Sequence, residues 1–185
     1  GMKILVVDDE ENVRRTLSSF FALRDIQTVT ASSMAEALSL FTAGTFDAAL
    51  IDLRLSQEGD QSGLELLSHL SRLEPGLPLV MMSAHADIRI ALEAVRKGAR
   101  DFLEKPLDQS RLEALVAQAR AQTALRSELR DMEKAWLDEH IAGRKSSGIL
   151  KALDLARRAA PSSLAILIRG PSGSGKEAFA RFIHL

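Results

Sequence analysis

Three aspartates, a serine and a lysine stand where apolar runs stop. Lys3–Val7 ends in Asp8-Asp9, and residues 48–51 end in Asp52. Residues 79–82 end in Ser83, and Asp101-Phe102-Leu103 leads shortly to Lys105-Pro106. Adjacent carboxylates repel, and burying them is unfavourable unless a cation neutralises them. Magnesium does this through one or two carboxylates, waters and a phosphate oxygen. A carboxylate is also a nucleophile, and a hydroxyl and an ammonium suit phosphoryl oxygens. Taken singly, Asp8 reads as a helix cap and Asp52 as a solvated loop residue. With Ser83 and Lys105 at matching places, the set reads as a site for a hard cation and a phosphoryl group.

These residues converge only if the apolar runs are parallel strands, so that every polar terminus falls on one edge of one sheet. The pattern predicts strands over 3–7, 27–30, 47–51, 78–82 and 100–103. The first helix carries Val13, Leu17, Phe20 and Phe21 on one face. Ser32-Ser33 cap a second helix with Ala37, Leu38 and Phe41, expected to stop at Gly44. A loop rich in Gly, Asp, Gln and Ser precedes a third helix, with Leu64, Leu67, Leu70 and Leu73, closed by Pro75-Gly76. The fourth carries Ile88, Leu92 and Val95 and ends at Gly98. Five strands, each followed by a helix, imply an α/β fold with a parallel sheet and right-handed crossovers. The flavodoxin-like order 2-1-3-4-5 sets strands 1 and 3 side by side at the switch point, bringing Asp8, Asp9 and Asp52 together.

With 185 residues, the chain has room for one full domain and part of another. Apolar residues make up 46%, enough for a core. A net charge of −1 argues neither for nor against nucleic acid. Up to Leu107 there are 11 Lys and Arg against 16 Asp and Glu; the remainder has 13 against 9. That asymmetry marks a module boundary rather than a DNA-binding tail. The absence of cysteine excludes a disulfide framework and fits a reducing, cytoplasmic setting. No apolar stretch approaches the roughly 20 residues that span a bilayer, and the start is no signal peptide.

From Asp108 to about Asp138 there is neither Gly nor Pro. Leu112, Leu115, Ala119, Leu125, Leu129, Met132 and Trp136 recur mostly at steps of three and four, a coiled-coil-like seam. The register slips by three between Gln122 and Leu125. A helix of about 30 residues extends about 45 Å, beyond a small domain, so a dimerising or bridging linker is expected. After Ile141-Ala142-Gly143-Arg144, a helix is expected over 147–159, a turn at Pro161-Ser162-Ser163 and a strand over 164–168. Gly170-Pro171-Ser172-Gly173-Ser174-Gly175-Lys176 then fits the first seven positions of a P-loop, whose amides and lysine cradle phosphates at a helix N-terminus. Glu177 stands where the pattern has Ser or Thr, so the hydroxyl that ligates magnesium there is absent.

Val6-Val7-Asp8-Asp9-Glu10, Leu50-Ile51-Asp52-Leu53, Met82-Ser83-Ala84-His85 and Phe102-Leu103-Glu104-Lys105-Pro106 closely resemble the receiver domain of two-component response regulators, over about residues 2–122. The resemblance implies that Asp52 accepts a phosphoryl group from a sensor histidine kinase. It implies Asp9 and Asp52 as direct magnesium ligands, Asp8 through water, and the Arg54 carbonyl as a further ligand. The resemblance also implies that Ser83 and Lys105 contact the phosphoryl oxygens, and it sets Phe102 where the family has its switch aromatic. His85 is read as a solvent-facing residue near the start of helix 4. Lys105-Pro106 is expected to be cis.

Segment 141–185 resembles the start of the AAA+ ATPase domain of sigma-54-dependent activators, with Gly170, Gly173, Ser174, Gly175, Lys176 and Glu177 at its phosphate loop. The expected layout is a receiver over 2–107, a final helix and coiled-coil linker over 108–140, and an AAA+ fragment over 141–185. ATP use, sigma-54 RNA polymerase and DNA are expected only through regions beyond Leu185; the partners of this chain are the kinase and a second copy. Two rival readings make different demands on the residues. A phosphatase of the haloacid dehalogenase-like class needs Asp-x-Asp, and Asp52 is followed by Leu53-Arg54. A nucleotide-binding P-loop module with a passive receiver scaffold predicts ATP binding without Asp52 phosphorylation.

Overall fold

The computed structural model describes residues 1–55, 62–85, 87–141, 151, 152, 155, 166–169, 176 and 180, except the side chains of 133 and 136–141. The chain forms two compact units, Gly1–Leu125 and Arg126–Leu185.

In the first unit, β1 (Lys3–Val7), β2 (Gln27–Ala31), β3 (Ala48–Asp52), β4 (Leu79–Ser83) and β5 (Asp101–Glu104) form a parallel sheet in the order 2-1-3-4-5. The helices are α1 (Glu11–Ala22), α2 (Met34–Leu40), α3 (Ser62–Leu73), α4 (Ile88–Arg96) and α5 (Gln109–Ile141). The central strands are buried on both faces, as sheets covered by crossover helices must be. Alternation along each strand divides the core in two. Leu5, Val7, Ala49, Ile51 and Met81 pack with Leu64, Leu67 and Leu70 of α3 and Ala94 of α4. Ile4, Val6, Ala48, Leu50, Val80 and Met82 pack with Leu17 and Phe21 of α1 and with Leu112, Leu115, Val116 and Ala119 of α5.

Several local expectations shift. Strands β3, β4 and β5 begin and end one residue later than their apolar runs, and β2 ends one later. The ladder continues past the runs: the Leu53 N–H donates to Met82 O at 2.8 Å and the Lys105 N–H to Ser83 O at 2.7 Å. Asp52 and Ser83 are therefore strand termini, held by pairing rather than carried on free loops. Helix α2 stops at Leu40; Phe41 is already extended, and Gly44 adopts φ +79° in the turn beyond. Its start is as expected: Ser33 Oγ accepts the Glu36 N–H, and Glu36 reaches back to Ser32.

Helix α4 reverses its expected face. Ile90 and Ala94 turn toward the core, whereas Ile88, Leu92 and Val95 are 78%, 56% and 56% exposed. The small Ala94 allows close approach to the sheet, so the bulkier stripe lies outward. The seam on α5 also divides. Leu112, Leu115 and Ala119 are buried in the receiver core, so this half of the expected coiled-coil-like seam is not free to pair with a second helix; Leu125, Leu129 and Met132 are exposed. Trp136 lies outside the described side chains.

In the second unit, Lys151, Ala152 and Leu155 are helical, within the helix expected over 147–159. Residues 166–169 carry no strand, contrary to expectation; a lone strand has no ladder, and no pairing partner is present among the described residues. Lys176 is helical and half-buried. Gly170, Gly173, Ser174, Gly175 and Glu177 lie outside the described residues, as does the loop 56–61.

Candidate functional site

Strands β1 and β3 are neighbours, and their carboxyl ends place Asp8, Asp9 and Asp52 in one cluster. One oxygen from each lies within 4.8 Å of the others. Asp8 is fully buried and Asp52 is 6% exposed. The Asp8 N–H continues the β1–β2 ladder to Ala31 O at 3.0 Å, and Asp8 Oδ1 accepts the Glu10 N–H at 2.9 Å.

Lys105 enters directly after β5, and the Lys105-Pro106 bond that follows it is cis, as expected. Its Nζ lies 2.7 Å from Asp8 Oδ2, 3.3 Å from Glu10 Oε1 and 3.4 Å from Asp52 Oδ1. Burial lowers the Lys105 pKa, but the hydrogen bond to Asp8, the charges of Asp52 and Asp8 and the hydrogen bond to Glu10 outweigh it, leaving the pKa raised. Burial raises the Asp8 carboxyl, with Lys105 opposing. Asp52 is pushed up to about 6, first by burial and then by the charge of Asp8. One ammonium thus faces three crowded carboxylates, and the uncompensated negative charge suits a divalent cation. The donor set is all oxygen, as magnesium requires.

Ser83 is buried at the end of β4. Its Oγ donates to the His85 carbonyl at 2.9 Å and accepts the His85 N–H at 3.2 Å. His85 itself is exposed, as expected. Phe102 is half-buried against the first core cluster, on which Ile90 of α4 also packs. Arg54 is exposed and lies two residues past Asp52, just beyond the end of β3.

Sequence reasoning assigned no role to three residues at this edge. Arg14 on α1 donates through Nη1 to the Asp8 and Asp9 carbonyls at 2.6 and 2.9 Å, clamping the turn that presents both carboxylates. Glu10 is a third acidic contact of Lys105. Ser62 opens α3 and receives the Leu55 N–H at 3.1 Å. Helical spacing puts Arg14 on the first turns of α1, but which carbonyls it reaches is a matter of the fold.

A doubly wound parallel sheet gathers a carboxylate cluster, a hydroxyl and a lysine at its carboxyl edge, where open α/β sheets bind ligands. The chain belongs to the response regulator receiver domain family, which it matches over residues 4–117, and residues 142–185 match the sigma-54 interaction domain. It is 36% identical over 186 residues to the regulatory protein AtoC of Escherichia coli, covering 98% of this chain and 40% of that protein. It is 38% identical over 187 residues to the response regulator PilR of Pseudomonas aeruginosa, covering 98% and 39%. Among solved structures, NtrX of Brucella abortus in complex with ADP is similar with a TM-score of 0.60 and 33% identity, covering 98% of this chain and 40% of that one. The chain therefore spans about two fifths of the length of these relatives. It is a two-component response regulator sequence whose receiver is followed by part of a sigma-54 interaction domain.

Proposed function

We propose that Asp52 accepts a phosphoryl group from the phosphohistidine of a sensor kinase. The observation that carries this reading is the convergence of Asp8, Asp9 and Asp52 on one buried cluster with Lys105 against it. An Asp52 carboxylate oxygen attacks phosphorus, the P–N bond to the kinase histidine breaks, and an acyl phosphate forms. Asp9 and Asp52 would hold magnesium directly, with Asp8 through water and the Arg54 carbonyl as a further ligand. When bound, the ion neutralises charge on the phosphoryl oxygens and fixes their orientation. Lys105 is already placed to share its ammonium between Asp52 and an incoming oxygen. Ser83 must exchange the His85 carbonyl for a phosphoryl oxygen, which releases residues 83–85 from their present turn. Phe102, packed on the same core cluster as Ile90 of α4, senses that movement and carries it to the face formed by α4, β5 and α5.

The layout assigned is a receiver over 2–107, a final helix and linker over 108–140, and the start of an AAA+ domain over 141–185. The exposed stripe Leu125, Leu129 and Met132 serves to pair two copies of the chain, and the exposed α4 stripe gives the receiver a second apolar surface. Phosphorylation changes the pairing, and the linker passes the change to an ATP-using output domain acting on sigma-54 RNA polymerase at DNA. The Lys176 phosphate loop serves that longer assembly. No described helix is long and apolar enough to cross a membrane; the setting proposed is cytoplasmic.

Acetyl phosphate with magnesium, followed by tryptic mass spectrometry, tests the acceptor. The expected result is one phosphoryl group, on Asp52, absent in Asp52→Asn. A phosphoryl group on another residue of the unmutated chain overturns the assignment.

A further inference from the structure

Ser62 and Gly63 open α3 against the carboxyl end of β3. A Cβ on Gly63 would stand 2.0 Å from the Asp52 carbonyl oxygen, 2.7 Å from the Leu53 carbonyl oxygen and 2.8 Å from Leu53 Cα. All three are backbone atoms, so no rotamer change relieves the overlap, and only glycine lets the helix come this close. The Gly63 N–H uses the approach to donate to Leu53 O at 3.1 Å. Next to it, the buried Ser62 hydroxyl accepts the Leu55 N–H at 3.1 Å and lies 3.4 Å from Leu55 O. On the other side, the Leu53 N–H is taken by Met82 O of β4.

These bonds bracket the peptide group between Arg54 and Leu55. Among the described residues the cis bond is Lys105-Pro106, so this peptide is trans. Its carbonyl and its N–H lie in one plane and point in opposite directions. Holding the N–H on Ser62 therefore sets the direction of the Arg54 carbonyl, away from the start of α3. The exposed Arg54 side chain offers no buried anchor for that job. Magnesium demands near-ideal octahedral geometry, so a carbonyl free to swing is a poor ligand.

We propose that Ser62 is a positioning residue for the magnesium site: its hydroxyl aims the Arg54 carbonyl, and Gly63 provides the close approach that makes this possible. The inference rests on Asp9, Asp52 and the Arg54 carbonyl being the ligands. Groups that orient metal ligands are worth about 10- to 100-fold in affinity.

The test is a magnesium chloride titration of the ¹⁵N-labelled chain by NMR, run on the unmutated protein, Ser62→Ala, Ser62→Thr, Ser68→Ala and Asp9→Ala. Ser68 sits on the same helix with its Oγ on Leu64 O, so Ser68→Ala reports the structural effect of losing a helix serine. The expected results are a Leu55 amide that shifts on saturation, because the ion polarises its own peptide group, and a magnesium Kd raised about 10-fold or more in Ser62→Ala. Ser62→Thr, which keeps the hydroxyl, and Ser68→Ala retain near-normal affinity. Normal affinity in Ser62→Ala, or equal losses in Ser62→Ala and Ser68→Ala, overturns the proposal. If Ser62→Ala does not fold, the unmutated chain decides: a Leu55 amide unmoved while the Asp9 and Asp52 amides shift overturns it. Undiminished binding in Asp9→Ala shows instead that the ligand assignment itself is wrong.

Discussion

Replacing Asp52 by Asn removes the charge that the folded receiver accommodates least well. Burial, and then the neighbouring Asp8, raise its pKa from 3.8 to about 6 even though Lys105 opposes them. A carboxyl with a raised folded pKa keeps its proton longer in the folded state than in the unfolded one. Stability therefore falls as pH rises from about 3.8 to about 6, and the loss is complete above that window. At 1.36 kcal/mol per pH unit, the loss is about 3 kcal/mol. Asparagine resembles the protonated acid in size and carries no charge, so Asp52→Asn regains this amount at pH 7.5 in EDTA. For a domain of this size that corresponds to about 10 °C in unfolding temperature. The gain shrinks toward zero as pH falls below 4. Magnesium at a hundredfold excess over its Kd stabilises the unmutated protein by about 2.7 kcal/mol and narrows the gap from the other side. Thermal unfolding by circular dichroism across pH 3.5–8, with and without magnesium, reads all of these. Equal midpoints at pH 7.5 in EDTA, or a more stable unmutated protein, refute the argument that Asp52 is held under electrostatic strain.

Two further outcomes follow from the same geometry. Lys105→Ala leaves the fully buried Asp8 without its ammonium, so the Asp52 pKa rises further and the acid dependence of phosphorylation moves to higher pH; carboxyl carbon NMR titration measures the direction, and an unmoved Asp52 contradicts the reading. Replacing Leu125 and Leu129 by Lys yields monomers by sedimentation while Asp52 phosphorylation persists; an unmutated chain monomeric at tens of micromolar, with and without beryllofluoride, removes the dimer account.

The alternation of strand and helix patterns determined the class of fold, because burial on two faces demands continuous apolar strands and one-sided helices. The same pattern placed Asp8, Asp9, Asp52, Ser83 and Lys105 at one sheet edge, since a polar residue that ends a parallel strand can only fall there. Strand ends were less legible. Backbone pairing such as Lys105 N to Ser83 O extends a ladder past its last apolar side chain, and such pairing is non-local. The α4 stripe and the first half of the α5 seam show the limit of periodicity. It reveals that a helix has an apolar face, but whether Leu92 turns outward or Leu112 turns inward depends on what lies opposite. The supports of the site belong wholly to the tertiary structure. Arg14 reaches the Asp8 and Asp9 carbonyls, Glu10 meets Lys105 across 95 positions of sequence, and Ser62 takes the Leu55 amide across an intervening loop. None of these pairs has a spacing that marks it, because the chain brings them together only when the helices close over the sheet.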